Sequence, residues 1–93
     1  MPIASPWIPV EKTGSGTVKA TPGVVGAITV VSTGAGGGTV SITDGASTVV
    51  WIIGAAGAAN DSNSVTFGPD GMKCDADIRV VIAGSAKAYV AYR

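Results

Sequence analysis

The sequence contains no histidine and a single cysteine, and only 13% of its 93 residues are charged, about half the roughly 25% usual in a globular domain. Without histidine, the commonest general base and the commonest metal ligand are both missing. A serine nucleophile would have only Lys19, Lys73 or Lys87 as its base, and no motif marks such a pairing. Cys74 has no second cysteine with which to close an intrachain disulfide, and it lacks the partners that redox or protease chemistry uses. Six basic and six acidic residues leave a formal net charge of zero, so no basic field draws in nucleic acid or anionic lipid. Long hydrophobic runs are missing too. The longest, Val49 to Ala59, is interrupted by Gly54 and Gly57 and falls well short of the roughly 18 residues a spanning helix needs. The start, Met1-Pro2-Ile3-Ala4-Ser5-Pro6-Trp7, has no positive segment, and its prolines break any apolar run, which argues against a signal peptide. These absences predict a protein that is not an enzyme, holds no cofactor or metal, binds neither nucleic acid nor membrane, and is made without export.

What the sequence does have is apolar side chain in surplus: 46% of residues are hydrophobic and the mean hydropathy is +0.45. A chain of this length makes one small domain, whose interior is too thin to hide so much apolar surface. Between Ala20 and Asn60 the only charged residue is Asp44, a neutrality unusual for a surface that faces water alone. Low charge and small side chains suit a permanent subunit contact, because a lysine or glutamate buried there would lose its hydration without a partner. The composition therefore points to a homo-oligomer, most simply a ring about a three-fold axis.

From residue 17 onward, short runs rich in Val, Ile and Thr alternate with Gly, Pro, Asp and Ser, the rhythm of antiparallel strands. The pattern predicts strands over Thr17–Ala20, Val24–Thr33, Thr39–Thr43, Thr48–Ile53, Ser64–Phe67, Ala76–Ala83 and Ala86–Tyr92. Thr39-Val40-Ser41-Ile42-Thr43 and Ser64-Val65-Thr66-Phe67 alternate apolar side chains with hydroxyls, as one buried and one exposed sheet face requires. Ile78, Val80 and Ile82 line one face of a later strand, while Val81 and Ala83 make its other face nearly apolar as well, which predicts cover on both sides. Asp44-Gly45, Pro69-Asp70-Gly71 and Gly84-Ser85 carry turn chemistry, the last suiting a tight hairpin between the final two strands. Gly34 to Gly38 connects strands, and two glycines between Gly54 and Ala59 disfavour a helix there. The expected fold is all-β: a compact antiparallel β-sandwich, jelly-roll-like, with a partly open barrel as the alternative.

Pro2, Pro6 and Pro9 around Ile3, Trp7, Ile8 and Val10 suit an extended arm and defeat a helix. The organisation expected is an N-terminal arm over 1–14 followed by one sandwich domain over 15–93. Ile3, Trp7, Ile8 and Val10 are the candidate partner-binding residues, because a large aromatic near a chain end anchors well to another surface. The alternative is a strap across the domain's own core. The chain closes on Tyr92-Arg93, which predicts a C-terminus fixed in the sheet.

Other candidate chemistry is weak. Asp70, Asp75 and Asp77 lie close together but match no calcium-loop spacing, and the preferred reading is that, with Lys73, they keep a loop and the start of an edge strand soluble and unpaired. Gly34 to Gly38 leads into a strand, where a phosphate-binding loop needs a helix. Trp51, Tyr89 and Tyr92 suggest a sugar-stacking platform, but Trp51 sits within Val49-Val50-Trp51-Ile52-Ile53, where burial is the expected fate. A bound glycan is therefore not favoured.

One pattern extends over most of the chain. Thr17-Val18-Lys19-Ala20-Thr21-Pro22-Gly23, Gly26-Ala27-Ile28-Thr29-Val30, Val40-Ser41-Ile42-Thr43-Asp44-Gly45, Ser64-Val65-Thr66-Phe67-Gly68 and the ending Ala88-Tyr89-Val90-Ala91-Tyr92-Arg93 together resemble small virion proteins of tailed bacteriophages, of the capsid decoration, cement or head-fibre-like type. The resemblance covers roughly residues 15–93 and rests on strand and turn residues. It implies a sandwich, commonly trimeric, that is made in the host cytoplasm, binds the major capsid protein on the outside of an icosahedral shell and reinforces its capsomer junctions. A tail or fibre component, or a carbohydrate module displayed on the virion, are the alternatives it leaves open.

Overall fold

The protein's structure, a computed structural model, describes residues 7–34, 36–45, 48–55, 58 and 60–93. Nine strands occur among them: β1 (Ile8–Lys12), β2 (Gly16–Lys19), β3 (Gly23–Ser32), β4 (Gly38–Asp44), β5 (Thr48–Ala55), β6 (Ser62–Thr66), β7 (Met72–Cys74), β8 (Ile78–Gly84) and β9 (Ala86–Tyr92). They form two antiparallel sheets, one in the order β1-β9-β3-β6 with β7 also on β3, the other in the order β2-β8-β4-β5.

The pairings are nested. β4 pairs its neighbour β5, β3 pairs β6 and β7, β2 pairs β8, and β1 pairs β9. That is one long hairpin whose rungs fall alternately into the two sheets, a jelly roll. β3 explains how two short strands share one place. It is ten residues long, with β7 along Gly23–Val25 and β6 along Ala27–Val31 end to end on one side and β9 on the other. The expected sandwich is thus the observed one, with β1 and β7 in addition to the seven strands read from the sequence.

Alternation decides what goes inside. Val25, Ile28 and Val30 of β3 and Ala86, Ala88 and Val90 of β9 face Val40 and Ile42 of β4, Ile53 of β5 and Ile78 and Val80 of β8 across one buried core. These side chains are branched or small, as a thin interlayer between two sheets requires. Ile78 and Val80 are buried as their spacing predicts, with Ile82 packed beside them.

Two expectations are corrected here. Gly84-Ser85 does not close a hairpin within a sheet, because β8 and β9 belong to different sheets. It turns a corner between layers. There Gly84 has φ of +77° with the Gly37 carbonyl 2.8 Å from where a β-carbon would sit, and Ser85 N–H donates to Gly37 O at 2.9 Å. Only glycine combines that left-handed backbone with that approach. Nor does the chain itself cover the second face of β8: Val81 is 46% exposed.

Of the segment expected as an arm, residues 1–6 lie outside the described residues, and Ile8–Lys12 is the edge strand of the first sheet, paired with β9 from Ile8↔Tyr92 to Lys12↔Ala88. Proline is compatible with such an edge, where its missing N–H need not face a neighbour. At the other terminus Arg93 exchanges backbone hydrogen bonds with Val24 at 2.8 and 2.9 Å, so the C-terminus is fixed in the sheet.

Candidate interaction surface

The outer faces of the two sheets differ in chemistry. In the first sheet, Glu11, Tyr89, Thr29 and Ser64 form one row across β1, β9, β3 and β6. The Tyr89 hydroxyl donates to Glu11 Oε2 at 2.8 Å and the Thr29 and Ser64 hydroxyls share a bond of 2.9 Å. Lys87 lies 3.5 Å from Glu11 and 5.5 Å from the Tyr89 ring centroid. The Tyr89 hydrogen bond, with help from Lys87, holds the Glu11 carboxyl below its ordinary pKa. A shallow groove of about 390 Å³ beside this row is floored by Ala27 and Ala91 and flanked by Pro9.

The second sheet carries three rows across β8, β4 and β5: Ala83, Thr39 and Gly54; Val81, Ser41 and Ile52; Arg79, Thr43 and Val49. Ile52 is 61% exposed and Val49 53%. The charge in these rows is confined to Arg79 at one end, where it is paired with Asp77 at 2.8 Å. Apolar side chain this exposed on a neutral face marks a contact surface more often than it marks open water.

β5 is the edge of that sheet, paired only with β4. The expected burial of Trp51 is corrected by this position. Trp51 points toward the core side, but at an open edge it remains 40% exposed, its ring 5.2 Å from Phe67 at an interplanar angle of 85°. A β-bulge between Ile42 and Thr43 places two residues of β5 against one step of β4 and turns Val49 to the outer face. A hollow of about 390 Å³ runs along Val49, Val50, Trp51 and Ile52.

Of the candidate partner-binding residues, Ile3 lies outside the described residues. Trp7 lies over Gly26, the extra residue of a bulge between Val25 and Ala27 of β3; its ring atoms sit 2.8–2.9 Å from where a β-carbon of Gly26 would be. The Arg93 guanidinium stacks 4.3 Å from the Trp7 ring centroid, a cation–π contact. Val10 packs against the core. Ile8 is 52% exposed. Trp7 and Val10 thus take the strap position on their own domain. The three aromatics of the sugar-platform idea are separated: Trp51 is at the edge of one sheet, Tyr89 on the outer face of the other, and Tyr92 against the core.

Two acids that the sequence offered for other roles, Asp44 in a turn and Asp77 in an acidic group, fasten one end of the sandwich. Asp44 accepts from the N–H groups of Asp75 and Ala76 at 2.8 and 2.7 Å, which depresses its pKa, and Asp77 accepts from Gly45 N–H at 2.9 Å. The Asp44-Gly45 turn read from sequence is therefore also a clamp on the β7–β8 connection. Cys74 is fully buried. Burial, reinforced by the charges of Asp44, Asp75 and Asp77, pushes its thiol up to about 11, so it stays protonated and unreactive at neutral pH. Among the described residues no group of three His, Cys, Asp or Glu is placed to hold a metal, and no helix is long and apolar enough to cross a membrane.

The architecture defines the class: an antiparallel jelly-roll sandwich with one polar and one neutral outer face. No family model matches the chain and no curated protein matches it. Among solved structures it is similar to a chain from the cryo-EM structure of the extra small virus VLP of the giant freshwater prawn Macrobrachium rosenbergii, with a TM-score of 0.46 and 9% identity, covering 99% of this chain and 82% of that one.

Proposed function

We propose that this chain is a non-enzymatic structural subunit of a virus particle, held in place through the outer face of its second sheet. The observation that carries the reading is the row of Val81, Ser41 and Ile52 with Val49 beside it: apolar side chain left in water by a fold that has already filled its core. The jelly roll is compatible with this role, being an architecture of capsid proteins as well as of lectins and cupins, and the strand and turn pattern resembling phage virion proteins adds direction. In the finer form of the proposal the chain is a decoration or cement subunit on the outer surface of a phage capsid. It contacts the major capsid protein across capsomer junctions, and copies of itself as well.

The test is addition of the purified protein to phage particles that lack it. The protein is expected to sediment with the particles and to raise the temperature at which they release DNA, and Val81→Lys with Ile52→Lys is expected to abolish both effects. Particles equally heat-stable with and without bound protein would remove the stabilising role. Label found only on tails would move the subunit to the tail.

A further inference from the structure

A sheet edge presents a row of backbone N–H and C=O groups that any extended chain can pair with, and proteins blunt such edges with charge, proline, bulges or brevity. The four edges of this sandwich are treated unequally. β1 carries Pro9, Glu11 and Lys12. β2 is four residues long, ends in Lys19 and contains a bulge. On the remaining side of the first sheet, β6 exposes Ser62, Asn63 and Ser64, and β7 is three residues long with Lys73 at its centre. β5 is eight residues long, without charge and without proline. Its far end is engaged, since Asn63 donates through Nδ2 to Gly54 O at 3.2 Å, so the open stretch is Thr48 to Ile53.

Only another strand edge satisfies a row of alternating donors and acceptors, and its charge decides which one fits. Setting β5 against a charged edge would desolvate that charge opposite Val49, Trp51 and Ile52 with nothing to pair it. A ring about a three-fold axis makes a heterologous contact. It would place β5 against some other patch of its neighbour, and every other described edge carries a charge, a proline or a row of hydrophilic side chains. A contact about a two-fold axis is self-complementary, and there β5 meets the one uncharged apolar edge among the described residues.

We infer that the open edge of β5 is an interface at which two copies of this chain pair antiparallel, β5 against β5, joining their second sheets into one continuous sheet. The pairing covers Trp51 and the hollow beside it and leaves Val81, on an interior strand, free for a different contact. It rests on the proposed role only for its setting, since the edge chemistry stands without it.

Light scattering on the purified protein at micromolar concentration should give twice the chain mass of 9.1 kDa. Amides from Thr48 to Ile53 should exchange slowly, and faster on dilution. Combining Val49→Lys with Ile52→Lys should return the mass to that of one chain while the β-sheet circular dichroism is kept, whereas Val81→Lys should leave the pair intact. A wild-type monomer, a trimer, or a dimer lost in Val81→Lys but kept in the edge variant would overturn the inference. If the edge variant fails to fold, the exchange measurement decides alone, and fast, dilution-independent exchange at Thr48 to Ile53 refutes the pairing. A monomer that still binds particles would remove only the pairing, and a dimer that binds none would remove only the virion role.

Discussion

The two sheets enclose one core and differ on their outer faces. Across the first, the central row pairs its polar side chains within the molecule: Tyr89 with Glu11, Thr29 with Ser64, and beside them Lys87 with Glu11. The second presents Val49, Ile52 and Val81 among small hydroxyls. Nothing in the core requires this difference, because both sheets contribute buried apolar rows to it. The contrast teaches that the surplus read from composition is not spread over the surface. It is concentrated on the outer face and open edge of one sheet, where a partner would cover it.

The largest effects should ignore the contrast. Ile28 of the first sheet and Ile42 of the second are both fully buried, so Ile28→Ala and Ile42→Ala should each cost about 2–5 kcal/mol in denaturant unfolding. A much smaller loss for Ile42→Ala would mean that the second sheet is poorly packed, and its outer apolar residues would then reflect looseness rather than an interface. Next comes the strap. Gly26→Ala puts a β-carbon where the Trp7 ring lies and should cost about 1–3 kcal/mol. In a double-mutant cycle with Trp7→Ala the two losses should fall short of additive. Full additivity would show that Trp7 is elsewhere and available to a partner.

Acid should act on both ends of the comparison with the same sign. The folded pKa values of Glu11 and Asp44 lie below the ordinary 4.5 and 3.8. Their contribution is therefore complete above those values and is lost as pH falls through the lower, folded ones. Thermal midpoints should drop below about pH 4, and Asp44→Asn should lower the midpoint at neutral pH and flatten part of that acid limb. The smallest effect on folding belongs to the bare face. Val81→Lys should change stability by no more than about 0.5 kcal/mol, yet weaken sedimentation with particles. A large destabilisation instead would mean that Val81 is part of the fold's own packing.

The sequence was most informative where neighbours in the chain are neighbours in the sheet. The alternation in Thr39–Thr43 correctly placed Val40 and Ile42 inside, and Asp44-Gly45 marked the end of β4, beyond which β5 pairs back against it. It was least informative where partners are distant. β7 is too short to show a period, and its register with Gly23–Val25 comes from the layout of the whole roll. Pro9 concealed β1, since proline rules out an interior strand but not an edge. The Trp7–Gly26 contact had a signal in a glycine inside an apolar strand, which marks bulges and close approaches. Trp51 was misplaced because an apolar run looks alike whether its strand is central or at an edge. The functional surface depended on that distinction.

The nesting of strand pairs also sets when the first sheet can close during synthesis. β3 needs β9 along one side and β1 needs it along its only paired side, but β9 follows all eight other described strands in the chain. At roughly 5–20 residues per second, the first strands wait several seconds, and pairings this distant along the chain are slow to nucleate. A nascent chain that lacks the seven residues of β9 already holds every strand of the second sheet, whereas β1 still has no neighbour. Completion of the first sheet should thus be a late event, triggered when β9 becomes free to slide between β1 and β3.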